Sequence, residues 1–142
     1  MPKFTKSKTS KNKSGRVEWV VAADIQAKLN HLISILDLEW LEKRDIHCFR
    51  SYSSKSRAFA RIWGLSRIWQ IALGAKPAYI IEALAEKFDR LTLEEQDKIL
   101  LHEIAHIPKN FSGSLLPHIR RGKRNFNDKV RSLVAQYKRV KS

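Results

Sequence analysis

The sequence predicts an α+β fold: a small, mostly antiparallel sheet packed on one histidine-bearing helix, with further helices near the N- and C-terminus. Three observations predict it. Ile25, Leu29, Leu32, Ile33 and Leu36 recur at helical spacing, as do Phe126, Val130, Leu133, Val134 and Tyr137, so each set marks one buried stripe. Short runs rich in Ile, Phe, Trp and Tyr, bounded by Ser, Gly and Pro, lie between them and read as strands. The chain has 142 residues, 43% of them hydrophobic, which suits a single globular domain with its own core.

Residues 1–16 are rich in Lys, Ser, Thr and Asn and read as a disordered basic tail, followed by one domain over 17–142. Residues 17–21 read as a short extended segment. Asp24 is placed to cap a helix reaching about Leu38, with His31 beside its apolar stripe as a rim or core histidine. Residues 45–52 read as a strand with Cys48 as a buried structural thiol and His47 on the opposite face. A polar loop over 51–56 follows. Arg61-Ile62-Trp63 then recurs as Arg67-Ile68-Trp69 around Gly64-Leu65-Ser66. This predicts two short strands joined by a turn, the Trp rings in the core and the Arg stems over their edges. Stacking of these residues on nucleic-acid bases is the alternative.

Residues 78–83 predict a strand, followed by a short turn of helix. Thr92 with Glu95 three residues on is a capping box. The absence of Gly and Pro over 93–107 continues that helix, and Pro108 ends it. Residues 108–118 form a loop by their Pro, Asn, Ser and Gly content. Asn125 or Asn127 caps the last helix, which is basic.

The net charge is +14, and it sits at the ends. Residues 1–16 hold six Lys/Arg and no acid, residues 120–142 hold nine and a single acid (Asp128), and the body between them holds thirteen of each sign. Cationic ends point to nucleic acid or another polyanion as a partner. A lone cysteine excludes an intrachain disulfide and a cysteine-based zinc cluster. No run approaches the roughly 18 apolar residues of a membrane span, and the N-terminus lacks a secretory h-region, so a cytoplasmic, non-membrane protein is expected.

The helix over 93–107 carries His102-Glu103-Ile104-Ala105-His106. Residues four apart stack on one helix face, with about 5–6 Å between Cβ atoms, a spacing at which two imidazoles can hold one tetrahedral metal ion. Glu103 lies about 100° round from His102 and can face a metal-activated water without being a ligand. The helix is apolar almost all round near the histidines, so these groups should be buried, and buried ionisable groups need partners. A catalytic zinc site commonly has three protein ligands. His118 is the best third, since Gly113 lets the loop turn back and Pro117 stiffens its approach. Asp128 and His47 are the other candidates.

These residues resemble a known family. Residues 56–65, 78–82 and 86–91, then Leu101-His102-Glu103-Ile104-Ala105-His106-Ile107-Pro108 continuing through Phe111-Ser112-Gly113 to Pro117-His118, are similar to the phage-type metallopeptidases, a group of small zincins. The resemblance covers about half of the chain. It implies a compact zincin-like α+β fold, zinc (Zn2+) at His102, His106 and His118, Glu103 as the catalytic base, and a protein or peptide substrate. Metzincins place Gly three and His six residues after the second histidine, where this chain has Lys109 and Ser112. Oxyanion stabilisation falls to Tyr79, Arg120 or Arg121 as candidates. A non-enzymatic nucleic-acid-binding protein with a structural zinc site is the competing expectation.

Overall fold

The computed structural model describes residues 15–118 and 126–141. Residues 1–14 of the expected basic tail, Arg120, Arg121 and the Asn125 cap lie outside the described residues. In chain order the elements are β1 (Glu18–Val21), α1 (Ala23–Ile35), a 3-10 turn (Glu39–Leu41), β2 (Ile46–Tyr52), β3 (Ala60–Gly64), α2 (Arg67–Leu73), β4 (Tyr79–Leu84), α3 (Ala85–Phe88), α4 (Leu93–Ile104) and α5 (Phe126–Lys141). No helix among the described residues is long and apolar enough to cross a membrane.

The four strands form one mixed sheet in the order β1-β2-β4-β3. Two of its pairings, β1 with β2 and β3 with β4, are antiparallel, as the sequence predicts for most of the sheet. The pairing of β2 with β4 is parallel, with Cys48 opposite Ile81. Parallel neighbours need a crossover. Here the chain crosses the end of β4 through residues 53–59, forms β3 as the far edge, and returns through α2.

Side chains alternate across a strand, so one face is apolar and closed. Ile46 and Cys48 of β2, Tyr79, Ile81 and Ala83 of β4, and Ile62 of β3 join Leu29 and Leu32 of α1 and Leu100, Leu101 and Ile104 of α4 in a single core. Ile81, Leu100 and Leu101 are fully buried. Truncating one such leucine to alanine costs about 2–5 kcal/mol. Cys48 is 2% exposed, a core thiol as expected. A single carboxylate stitches three helices together: Asp97 of α4 accepts from Lys28 of α1 at 2.9 Å and from the Tyr137 hydroxyl of α5 at 2.6 Å.

Four expectations are corrected. α1 has Ala22 at its N-cap and ends at Ile35. The Asp24 carboxylate is drawn instead to Arg50, at 2.7 and 2.9 Å, and Asp37 turns the chain away at φ 54°. The second Arg-Ile-Trp repeat is the helix α2, because Ser66 takes the extended N-cap geometry and Gly74 closes the helix at φ 63°. α4 ends at Ile104, and residues 105–107 continue as turns. Asn127 lies inside α5, within its first turn.

Candidate metal centre

The register of α4 is set at its start. The Thr92 Oγ1 accepts from the Glu95 N–H at 3.1 Å, and the Glu95 carboxylate accepts from the Thr92 N–H at 2.9 Å. This is the capping box read from the sequence, and each cap of this kind is worth about 1 kcal/mol. The apolar face of α4 then packs into the core, while His102 and Glu103 border a cleft. His106 lies just beyond the helix. Its N–H bonds to the Glu103 carbonyl at 3.1 Å and the Ile107 N–H to the Ile104 carbonyl at 3.1 Å, tighter turns that keep His106 one turn past His102. The two rings lie 5.4 Å apart, centroid to centroid.

A loop brings the third imidazole back. It reverses at Phe111 (φ 48°) and Gly113 (φ 100°). Gly113 sits so close to the end of β3 that a Cβ there would lie 2.2 Å from the Leu65 carbonyl oxygen, and a Cβ on Gly64 would lie 2.1 Å from that of Gly113. Two glycines therefore permit the contact. Three polar groups hold it. The Tyr79 hydroxyl accepts from the Gly113 N–H and donates to the Ser114 carbonyl, both at 2.8 Å. Gln70 Nε2 donates to the carbonyls of Leu65 and Ser112 at 2.8 Å. The Leu116 N–H donates to the His106 carbonyl at 2.7 Å, and His106 Nδ1 lies 2.6 Å from the Leu116 carbonyl.

The three imidazoles meet. His118 Nε2 lies 3.3 Å from His102 Nε2 and 3.2 Å from His106 Nε2. For metal–nitrogen bonds of about 2.0–2.1 Å, the edge of a tetrahedron is about 3.3–3.4 Å, so His118 already stands at ligand spacing from both partners, and all three ligand atoms lie within 4.8 Å of one another. Their chemistry fits as well. Donation from His106 Nδ1 to the Leu116 carbonyl leaves the Nε2 lone pair facing the cluster. Burial, then the neighbouring His106 and His118, push His102 down to about 4. Burial also lowers His106, against the opposing pull of the Leu116 carbonyl. Neutral imidazoles are what a metal requires. Among the described residues no other group of three or more His, Cys, Asp or Glu converges in this way.

Glu103 is 8% exposed on the same cleft, and burial pushes its carboxyl up to about 7. The cleft holds about 570 Å³, with Phe59, Ile62, Ile99 and Leu115 among its walls. His31 and His47 are exposed and lie outside the cluster, His47 on the other face of the sheet. Asp128 lies outside it too, paired with Arg131. Tyr79 is 1% exposed and its hydroxyl is committed to the loop, so it braces His118 rather than facing a substrate.

Sequence reasoning placed Phe126 only on the stripe of α5. In the structure its ring stacks on His106 at 4.1 Å and meets His102 and His118 edge-on at 4.9 and 5.1 Å. Lys129, one turn on, donates to the Ile107 carbonyl at 2.8 Å and so anchors α5 to the end of the metal-site turn. Nothing local marks either role, because both depend on where α5 docks.

A family model described as "Putative phage metallopeptidase" matches residues 17–138. No match was found among curated proteins or solved structures. The family and the histidine cluster together imply a metal ion.

Proposed function

The chain belongs to the phage metallopeptidase family, and we propose that it is a zinc-dependent peptidase with His102, His106 and His118 as the metal ligands and Glu103 as the catalytic base. The observation that carries this reading is the convergence of three imidazoles, with His118 Nε2 at 3.2–3.3 Å from the other two, beside a buried carboxylate on an open cleft. A closed structural site would give no reason to bury Glu103 there.

When bound, the zinc ion supplies Lewis-acid activation of water and of the scissile carbonyl. The residues supply the rest. Glu103 accepts the proton of the attacking water and returns it to the leaving amine nitrogen. A carboxyl held near neutral pH suits both transfers. The substrate backbone has a template in β3. The strand expected over residues 78–83, β4, lies inside the sheet, and β3 is the edge beside the cleft. The Phe59 carbonyl accepts from the Leu84 N–H of β4 at 3.0 Å, and the Leu65 N–H donates to the carbonyl of Ala78, just before β4, at 2.9 Å. The antiparallel register therefore turns the N–H and C=O groups of Ala60, Ile62 and Gly64 to the open side. A peptide pairing there by strand addition lies across the cleft, with an apolar side chain against Phe59, Ile62, Ile99 and Leu115. The lone reduced cysteine fits a cytoplasmic setting in a microbial cell or infected host.

The test pairs metal content with cleavage of unfolded protein or peptide libraries. Glu103→Ala is expected to retain zinc at one ion per chain and to lose hydrolysis. Retained hydrolysis, or loss of the metal together with the fold, would overturn the assignment.

A further inference from the structure

Among the described residues, one face of the sheet has no covering layer. Register places Trp19 and Val21 of β1, Phe49 of β2, Ile80 of β4 and Trp63 of β3 on that face. The sequence expectation that the repeated Arg-Ile-Trp motif buries its rings is corrected here: Trp63 is 48% exposed, and Trp19 on the opposite edge strand is 56% exposed. Tryptophan is highly buried on average, so two half-open rings on one sheet face call for a partner.

We propose that this face binds single-stranded nucleic acid, with unpaired bases stacked on Trp19 and Trp63. The electrostatics favour a polyanion. Glu82 is the only acid among the strand residues of this face, and it is fully buried. It accepts from Trp63 Nε1 at 2.8 Å and from the Arg61 guanidinium at 3.2 Å, so it offers no negative charge to solvent. The same bond pins the Trp63 indole, and the Arg61 guanidinium lies 5.2 Å from that ring. A fixed ring beside a cation is the unit that stacks a base and meets its phosphate. Exposed Lys55 and Arg57, on the loop crossing the end of β4, add positive charge at the rim. The whole chain carries +14. That charge also opposes pairing of this face with a second copy. Trp19 and Trp63 stand three strand spacings apart, about 14 Å across the sheet, and four residues out of step, about 13 Å along it, so one strand would engage them with different bases.

The proposal does not rest on the peptidase reading: Trp19 and Trp63 lie on the face opposite Ile62, and of the residues it uses Arg61 alone also borders the metal cleft. It is tested by fluorescence anisotropy of the full chain with labelled short oligo(dT) and oligo(U). Both are expected to bind at low salt, with quenching of tryptophan fluorescence. The two arms show whether DNA or RNA is preferred. Trp19→Ala and Trp63→Gln should each weaken binding about tenfold, the scale of one lost base stack. The salt dependence should stay unchanged, because the rings neutralise no phosphate. Trp63→Gln keeps an N–H for Glu82, thermal melts establish that each variant is folded, and Trp19→Phe, which keeps a stacking ring, should restore most of the affinity. Unchanged affinity in both folded variants would assign binding to the cationic ends and overturn the proposal. Equal, equally ring-dependent binding of duplex would overturn it as well. So would absence of oligonucleotide binding, or ring-dependent binding to phosphatidylglycerol vesicles or to a second copy in its place.

Discussion

Tyr79→Phe removes one oxygen from the interior and tests how His118 reaches its partners. That oxygen makes two hydrogen bonds of 2.8 Å to the returning loop, from the Gly113 N–H and to the Ser114 carbonyl. Ser114 is exposed, so its carbonyl can rehydrate, whereas Gly113 is buried and its N–H is left orphaned. A buried group stranded in this way costs about 1–3 kcal/mol. The ring itself stays, and with it the edge-on packing against Phe111 at 4.9 Å. At about 4 °C per kcal/mol for a chain of this size, the melting temperature should fall by about 4–12 °C. The loosened loop should also hold His118 less well and weaken metal affinity about 10–100-fold, as loss of a supporting hydrogen bond usually does. With zinc in excess over both dissociation constants, the metal-induced gain in stability then shrinks by about 1.4–2.7 kcal/mol. Thermal melts with and without zinc, and competition against a chelating dye, read both quantities. Unchanged melting and unchanged affinity would refute the bracing role. Full metal affinity with a collapsed kcat would instead make Tyr79 an oxyanion donor.

Three further predictions follow from the same contacts. Gly113→Ala puts a Cβ 2.2 Å from the Leu65 oxygen at a φ of 100°, so the loop must move; zinc affinity should drop more than in Tyr79→Phe, and an intact site would refute the close-approach argument. Phe126→Ala removes a ring that is 3% exposed and touches all three imidazoles; the expected cost is about 3–5 kcal/mol, with weaker zinc binding in a chelator titration. Burial alone would raise the Glu82 carboxyl, but hydrogen bonds from the Trp63 indole and the Arg61 guanidinium help to outweigh it and hold the group below its ordinary value. A depressed folded-state value contributes stability above the unfolded carboxylate pKa and loses it as pH falls through the folded one. Urea midpoints should therefore decline on acidification through that window, and Glu82→Gln should flatten the decline; an equally steep acid limb in that variant would refute the linkage.

What could be read from the chain alone was whatever its signals decide locally. The capping box at Thr92 and Glu95, the His102–His106 spacing and the apolar stripe of α1 each need only a few neighbouring residues, and each has its counterpart in the structure. The strand and short helix after Pro77 are found as β4 and α3. The failures share a different cause. The repeat Arg-Ile-Trp suggested two like strands, but flanking residues outweighed the repeat: Ser66 and Gly74 are cap residues, and they made the second copy a helix. The same comparison misjudged burial, since whether Trp63 is covered depends on which layer lies over the sheet.

His118 marks the boundary between the two kinds of information. Composition and spacing picked it out as the third histidine, with a glycine and a proline shaping its approach. Its distance of 3.2–3.3 Å from the other two imidazoles was decided elsewhere, by β4 through Tyr79, by α2 through Gln70, and by the paired glycines that let the loop rest on β3. Helical periodicity and capping act over a few residues and are therefore written in sequence order. Strand order, the open edge of β3 and the ring of Phe126 against the histidines bring together residues remote along the chain, and only packing around one shared core sets them.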